Sequence, residues 1–211
     1  KVPEFNKKEW SATKIRNKIA EGEEWKHLVP EKVAEYLEEI NIKDRLKPNI
    51  ETKSETEKDV AHLLTKNDLK IATAESCTGG LIAHRFTNVP GSSSYFERGL
   101  VTYSNDAKIE LLGVDENILK KEGAVSREVA RQMAEGIKER AGVDIGLATT
   151  GIMGPGGGTK EKPIGTVYMG LAHSGGTETE HFQFSGNRIE TKTQTSEEAI
   201  QFVIDFLKDK Y

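Results

Sequence analysis

Two nucleophile-type side chains stand next to each other in Ala72-Thr73-Ala74-Glu75-Ser76-Cys77-Thr78-Gly79-Gly80, a hydroxyl at Ser76 and a thiol at Cys77. A serine hydroxyl needs a base to attack at neutral pH. The five histidines are scattered, with His62 and His84 in predicted helices, so no Ser/His/Asp set is visible. A Ser–Lys pair is the alternative arrangement. Lys108 is the best partner, because it lies just beyond a predicted strand at the strand-end level of Ser76. It must be neutral to act, so burial or a like charge has to lower its pKa. Tyr103 is placed to orient it or relay a proton. Against this, lysines are mostly solvated. A Cys77 thiolate at a helix N-terminus would be activated by the dipole. A lone cysteine among small residues is as often a buried apolar group, and no Cys/His/Asn pattern accompanies it.

A second element is Gly151-Ile152-Met153-Gly154-Pro155-Gly156-Gly157-Gly158. Such a loop after a strand lets backbone N–H groups cradle a phosphate or a carbonyl oxygen. No Lys-Ser or Lys-Thr pair closes it, so it is not a P-loop. Together these elements describe a site for a small anionic ligand beside an activated serine.

The elements that must position these groups follow from pattern. An apolar run, 69–74, ends at the small and polar residues 75–80, and the apolar-periodic segment 81–86 begins after the glycines. That reads as strand, tight turn and helix start, akin to a nucleophile elbow although Gly-x-Ser-x-Gly is absent. The carboxyl end of such a strand is where α/β proteins hold ligands. Further strands are predicted over 95–103, 144–150, 166–172 and 178–185, the last two joined by a turn around Ser174-Gly175-Gly176. Helices are predicted over 106–112, 115–121, 126–141 with Ser126 as N-cap, and from Ile189 or Thr193 to Leu207. Five strands among helices predict an α/β fold, a three-layer α/β/α sandwich with a mixed sheet.

Residues 1–48 form a helical appendage and 49–54 a polar, Pro-flanked linker, which leaves 55–211 as the main domain. In the appendage a helix follows Ser11 or Thr13, and a second follows Pro30 with Val33, Tyr36, Leu37 and Ile40 on one face. A net charge of −4 and a pI near 5.8 argue against nucleic-acid binding. No apolar run approaches the ~20 residues of a membrane span. One cysteine excludes an internal disulfide and fits a reducing cytoplasm, and no spacing resembles a zinc site. The start, Lys1-Val2-Pro3-Glu4, has no secretory pattern and no initiator Met, as expected of a piece of a longer chain.

Thr73–Gly80, Val101-Thr102-Tyr103-Ser104-Asn105-Asp106-Ala107-Lys108, Leu112-Gly113-Val114, Gly123-Ala124-Val125-Ser126, Thr150–Gly157 and Lys162-Pro163-Ile164-Gly165-Thr166-Val167 occur in one order. Over about residues 55–208 this closely resembles the CinA C-terminal domain family, the nicotinamide-nucleotide amidases. The resemblance implies hydrolysis of the carboxamide of nicotinamide mononucleotide to nicotinate mononucleotide and ammonia, with no cofactor or metal. It implies Ser76 as nucleophile, Lys108 as base and Tyr103 in the accompanying motif. Substrate-binding groups are then expected among Cys77, Thr78, Gly79 and Gly80 and in the loop of Gly151, Gly154, Gly156 and Gly157. Met153 replaces the alanine usual in that loop. A cytoplasmic homodimer is expected by the same resemblance. A non-catalytic nucleotide-binding module, or an amidase for another nicotinamide-like amide, are the alternatives. Phe5–Arg16 and Trp25–Pro30 resemble the C-terminal end of archaeal nicotinamide-mononucleotide adenylyltransferases, where the positions of Ser11, Thr13 and Arg16 help bind ATP phosphates. The His-x-Gly-His core is missing, so no adenylyltransferase activity is predicted for these residues.

Overall fold

The computed structural model describes residues 15–16, 18–19, 22–42 and 55–211, and the chain divides into two compact units, 1–53 and 54–211. In the first, a short 3₁₀ turn over Lys26–Leu28 precedes helix α1 (Glu31–Glu39), entered from Pro30. The buried residue of α1 is Ala34, whereas Val33 and Tyr36, expected on a packed face, are exposed. So short a helical segment buries too little apolar surface to cover a whole stripe. Ser11, Thr13 and the linker 49–54 lie outside the described residues.

The second unit runs α2 (Glu55–Lys66), β1 (Ile71–Glu75), α3 (Leu81–Thr87), β2 (Phe96–Val101), α4 (Asn105–Leu112), α5 (Glu116–Glu122), α6 (Arg127–Ala141), β3 (Ile145–Gly151), β4 (Thr166–His173), β5 (Gly176–Gln183) and α7 (Arg188–Lys210). The sheet order is β2-β1-β3-β4-β5. β1 is parallel to both β2 and β3, and β4 and β5 add antiparallel pairs. This is the mixed α/β/α sandwich expected from the pattern. Among the described residues no helix is long and apolar enough to cross a membrane.

Alternation along the strands makes the two sheet faces unlike. Ile71, Ile145, Leu147, Val167, Met169 and Leu171 form a bulky face, covered by Val60 and Leu64 of α2, Ile82 and Phe86 of α3, and Ile200, Val203 and Leu207 of α7. The opposite face carries Ala72, Ala74, Ala148 and Ala172, against Val129, Met133, Ala134 and Ile137 of α6. Small residues let α6 sink close to the sheet. A Cβ at Gly146 would stand 2.2 Å from the Ala134 carbonyl oxygen, and one at Gly170 would stand 2.4 Å from that of Ala130.

On the bulky side, Arg85 ties three helices together. Its Nε donates to Glu57 Oε1 at 2.6 Å, Nη1 to Ser196 Oγ at 3.1 Å and Nη2 to Glu197 Oε2 at 2.5 Å. Removing one partner from such a buried pair leaves a charge uncompensated, at a cost of about 3–5 kcal/mol. The network therefore fixes where α7 begins relative to α3.

β1 lies between β2 and β3, so the chain leaves it to one side through α3 and returns to the other through α6. That is the switch point at which open α/β sheets form crevices. Glu75 pairs in register with Val101 and Thr149, which brings the residues just beyond all three strands to one edge. Gly146→Ala and Gly170→Ala should each destabilise the fold by about 1–3 kcal/mol, the usual range for overpacking, as read from urea unfolding midpoints. Unchanged midpoints in both variants would contradict the close seating of α6.

Candidate active site

The turn after β1 is held by an unusual cap. Glu75 is 1% exposed, and a carboxylate buried that deeply needs donors. Its Oε2 accepts from the N–H groups of Gly80 at 2.9 Å and Ile82 at 3.1 Å, and its Oε1 from that of Ala83 at 2.8 Å. The unpaired N–H groups at the start of α3 are thus turned onto the last residue of the preceding strand. Closing so tight a loop puts Gly79 and Gly80 at φ of 64° and 94°, a region that favours glycine. Ser76 is pinned to the neighbouring strand by its N–H, which donates to Thr149 O at 3.0 Å.

Lys108 comes from α4, whose N-cap Ser104 accepts from Ala107 N at 3.1 Å. The lysine points inward and is 1% exposed. Its Nζ lies 3.1 Å from Ser76 Oγ, 2.8 Å from Thr102 O, 3.2 Å from Tyr103 O and 3.5 Å from Ser104 O. None of these partners is a carboxylate. Burial therefore pushes its pKa below the ordinary lysine value. Burial acts in the opposite sense on the neighbouring thiol and pushes Cys77 up to about 12, so Cys77 stays protonated at neutral pH. Its sulfur is hydrogen-bonded with the Thr149 side chain and is packed against β3, where a Cβ at Gly151 would stand 3.2 Å from it.

Ser76, Cys77, Lys108 and Tyr103 open on a cavity of about 280 Å³. Ala124 and Val125 form one wall, residues of the 150–157 segment another, and Arg188 from the first turn of α7 stands at a third side. Of the sequence-predicted residues, the structure brings Ser76, Cys77, Tyr103, Lys108, Gly151, Gly154, Gly156 and Gly157 to this cavity. It does not bring Thr78, Gly79 or Gly80 there. Thr78 is buried with its Oγ1 3.0 Å from Thr149 Oγ1, and the Gly80 N–H is bound to Glu75. Tyr103 orients Lys108 through its main-chain oxygen, while its phenol oxygen accepts from Arg188 Nη2 at 3.1 Å.

Thr150 and Arg188 are cavity residues that the sequence reading missed. Thr150 Oγ1 donates to Ala124 O at 2.8 Å and ties two walls together. Arg188 was hidden by the choice of helix start. Asn187 caps α7, accepting from Ile189 N at 2.9 Å and Glu190 N at 3.1 Å, and Glu190 Oε2 accepts from Asn187 N at 2.8 Å. The Asn-x-x-Glu spacing of a capping box was the available signal. A cation in the first turn, where the dipole disfavours it, was the hint of a role.

No group of three or more His, Cys, Asp or Glu among the described residues could hold a metal ion. A separate cleft of about 230 Å³ between β5 and α7 has carboxylates and phenylalanines but no hydroxyl or thiol nucleophile. The first cavity offers a serine hydroxyl beside a buried amine whose pKa burial lowers.

Solved structures and sequence relatives agree on the lineage. A competence/damage inducible protein from Agrobacterium tumefaciens is 39% identical with a TM-score of 0.70, covering 74% of this chain and 96% of that one. A CinA superfamily protein from Klebsiella pneumoniae is 32% identical with a TM-score of 0.71, covering 74% and 97%. Among sequences, a protein of Halothermothrix orenii named for competence-damage induction is 43% identical over 92% of this chain and 44% of its own length. A similarly named protein of Acetivibrio thermocellus is 54% identical over 68% of this chain and 35% of its own. The chain thus spans less than half the length of these curated relatives. Residues 53–207 match the family model described as the CinA C-terminal domain, and the chain belongs to that family.

Proposed function

We propose that the chain hydrolyses the carboxamide of nicotinamide mononucleotide to nicotinate mononucleotide and ammonia through an acyl-enzyme on Ser76. The observation that carries this reading is the 3.1 Å approach of buried Lys108 Nζ to Ser76 Oγ. Family membership supports the substrate class. A neutral amine has two hydrogens and one lone pair. Thr102 O and Tyr103 O accept the hydrogens, which leaves the lone pair for the Ser76 hydroxyl proton.

Lys108 takes that proton as Ser76 Oγ bonds to the carboxamide carbon. The same backbone carbonyls then hold the ammonium, so the transferred charge needs no new solvation. Lys108 gives the proton to the departing nitrogen, the C–N bond breaks and ammonia leaves. Water, deprotonated by Lys108, attacks the ester and regenerates Ser76. The N–H of Cys77 follows the nucleophile directly and is the candidate oxyanion donor, since the Ser76 N–H is engaged with Thr149 O. Such a donor contributes about 3 kcal/mol to the transition state. The positively charged pyridinium ring draws electrons from the amide and eases the attack.

Ser76→Ala and Lys108→Ala should each lower ammonia release from nicotinamide mononucleotide on the order of 10³-fold or more, while Cys77→Ala keeps most of the activity. Full activity in Ser76→Ala would sink the serine mechanism, and loss in Cys77→Ala alone would reveal a thiol enzyme. Protonated Lys108 is inactive as a base, so kcat/KM should fall as pH drops through its pKa. Because burial lowers that pKa, the midpoint of this limb should lie below the ordinary lysine range. A profile that still climbs through that range would contradict a buried neutral base.

A further inference from the structure

Glu75 is buried, lines no part of the cavity and hydrogen-bonds to neither reacting group. A helix is usually capped by a short polar side chain at its N-cap. Here the N-cap is Gly80, which has no side chain, and the acceptor comes from five residues earlier. Both carboxylate oxygens of Glu75 accept, from the N–H groups of Gly80, Ile82 and Ala83. Two further bonds hold the intervening turn from β3. The Ser76 N–H donates to Thr149 O at 3.0 Å, and Thr78 Oγ1 lies 3.0 Å from Thr149 Oγ1. The Cys77 N–H falls between these two anchors in the chain. The Gly79-Gly80 end of the turn, with its freest backbone, is tied down by Glu75.

The main chain of Glu75 meets the base by a separate route. Its carbonyl accepts from Thr102 N at 2.9 Å, and Thr102 O accepts from Lys108 Nζ at 2.8 Å. One residue therefore precedes the nucleophile, reaches the base through its peptide, and fixes the following turn through its side chain. We infer that the Glu75 side chain is a positioning residue for the reaction, holding the Ser76–Gly80 turn so that the Cys77 N–H is aimed at the oxyanion before substrate arrives. The inference rests on the acyl-enzyme reading above. Preorganised donors act where charge develops and cost no reorganisation during the reaction. Loosening this turn is therefore felt in the transition state and little in substrate binding. Glu75→Gln keeps the size and one acceptor oxygen but sets an NH2 group against backbone N–H donors.

Glu75→Gln should lower kcat for ammonia release from nicotinamide mononucleotide by about 100-fold, the scale of a lost oxyanion donor, with KM little changed. The acid limb of the pH profile should keep its midpoint, because Lys108 is held by main-chain oxygens and its pKa is lowered by burial. Phenylboronic acid reads the same donor without any amide: Ser76 Oγ bonds to boron, its proton passes to Lys108, and a tetrahedral anion forms. Its affinity should fall by a factor comparable to that in kcat. Glu75→Asp, a carboxylate one methylene shorter, should lie between wild type and Glu75→Gln in both measurements, and makes the comparison if Glu75→Gln does not fold. An unchanged kcat, a loss carried by KM, a shifted pH midpoint, or a kcat loss without loss of boronate affinity would overturn the proposal. If the wild-type chain binds the boronate but releases no ammonia, the amidase reading fails and the boronate affinities alone decide the role of Glu75. A wild-type chain that does not bind the boronate has no oxyanion site for Glu75 to position, and overturns the proposal as well.

Discussion

Lys108 Nζ sits beside Ser76 Oγ with three backbone carbonyls around it and no carboxylate, and most of the site can be understood from what that placement requires. An ammonium at 1% exposure would have to be stabilised by dipoles alone, so the uncharged amine is favoured. The carbonyls of Thr102, Tyr103 and Ser104 come from the segment that turns β2 into α4. They are fixed by the chain's own path and need no further side chains. The amine is therefore positioned by main chain on one side and by the hydroxyl it serves on the other.

The nucleophile's position depends on a second buried ionisable side chain, treated in the opposite way. Glu75 is surrounded by N–H donors, so its carboxylate is held by hydrogen bonds, whereas Lys108 is held by acceptors. The two residues flank Ser76 and Cys77 along or across the sheet edge. A carboxylate that caps its own following helix locks the strand-to-helix turn, and the positive φ at Gly79 and Gly80 is the conformational consequence. Cys77 is left as a packed, protonated thiol whose backbone N–H, and not its sulfur, faces the chemistry in the proposed mechanism.

Much of this was legible in the sequence, for physical reasons. Short apolar runs bounded by glycine and small polar residues located the strands, and a shared level at the strand ends suggested Ser76 and Lys108 as partners 32 residues apart. Their meeting depends on β2 pairing in parallel with β1, which periodicity cannot state. Glu75 looked like a generic polar residue at a strand end. The clue was that a charge at the end of an otherwise buried strand needs donors nearby. Arg188 was legible only as a first-turn cation behind an Asn-x-x-Glu capping box; its reach into the cavity depends on the seating of α7 by Arg85, Glu57 and Glu197. Val33 and Tyr36 of α1 went the other way: helical spacing marked a stripe that tertiary packing leaves exposed.

The proposed mechanism requires Lys108 to be an uncharged amine at the moment of attack. NMR titration of the Lys108 side chain, with its resonance assigned by Lys108→Arg, tests it most directly. A titration midpoint below the ordinary lysine range, with a downfield-shifted Cε resonance at neutral pH, is the predicted result. A midpoint at or above that range would mean that the backbone carbonyls hold a permanent ammonium, and would contradict the account.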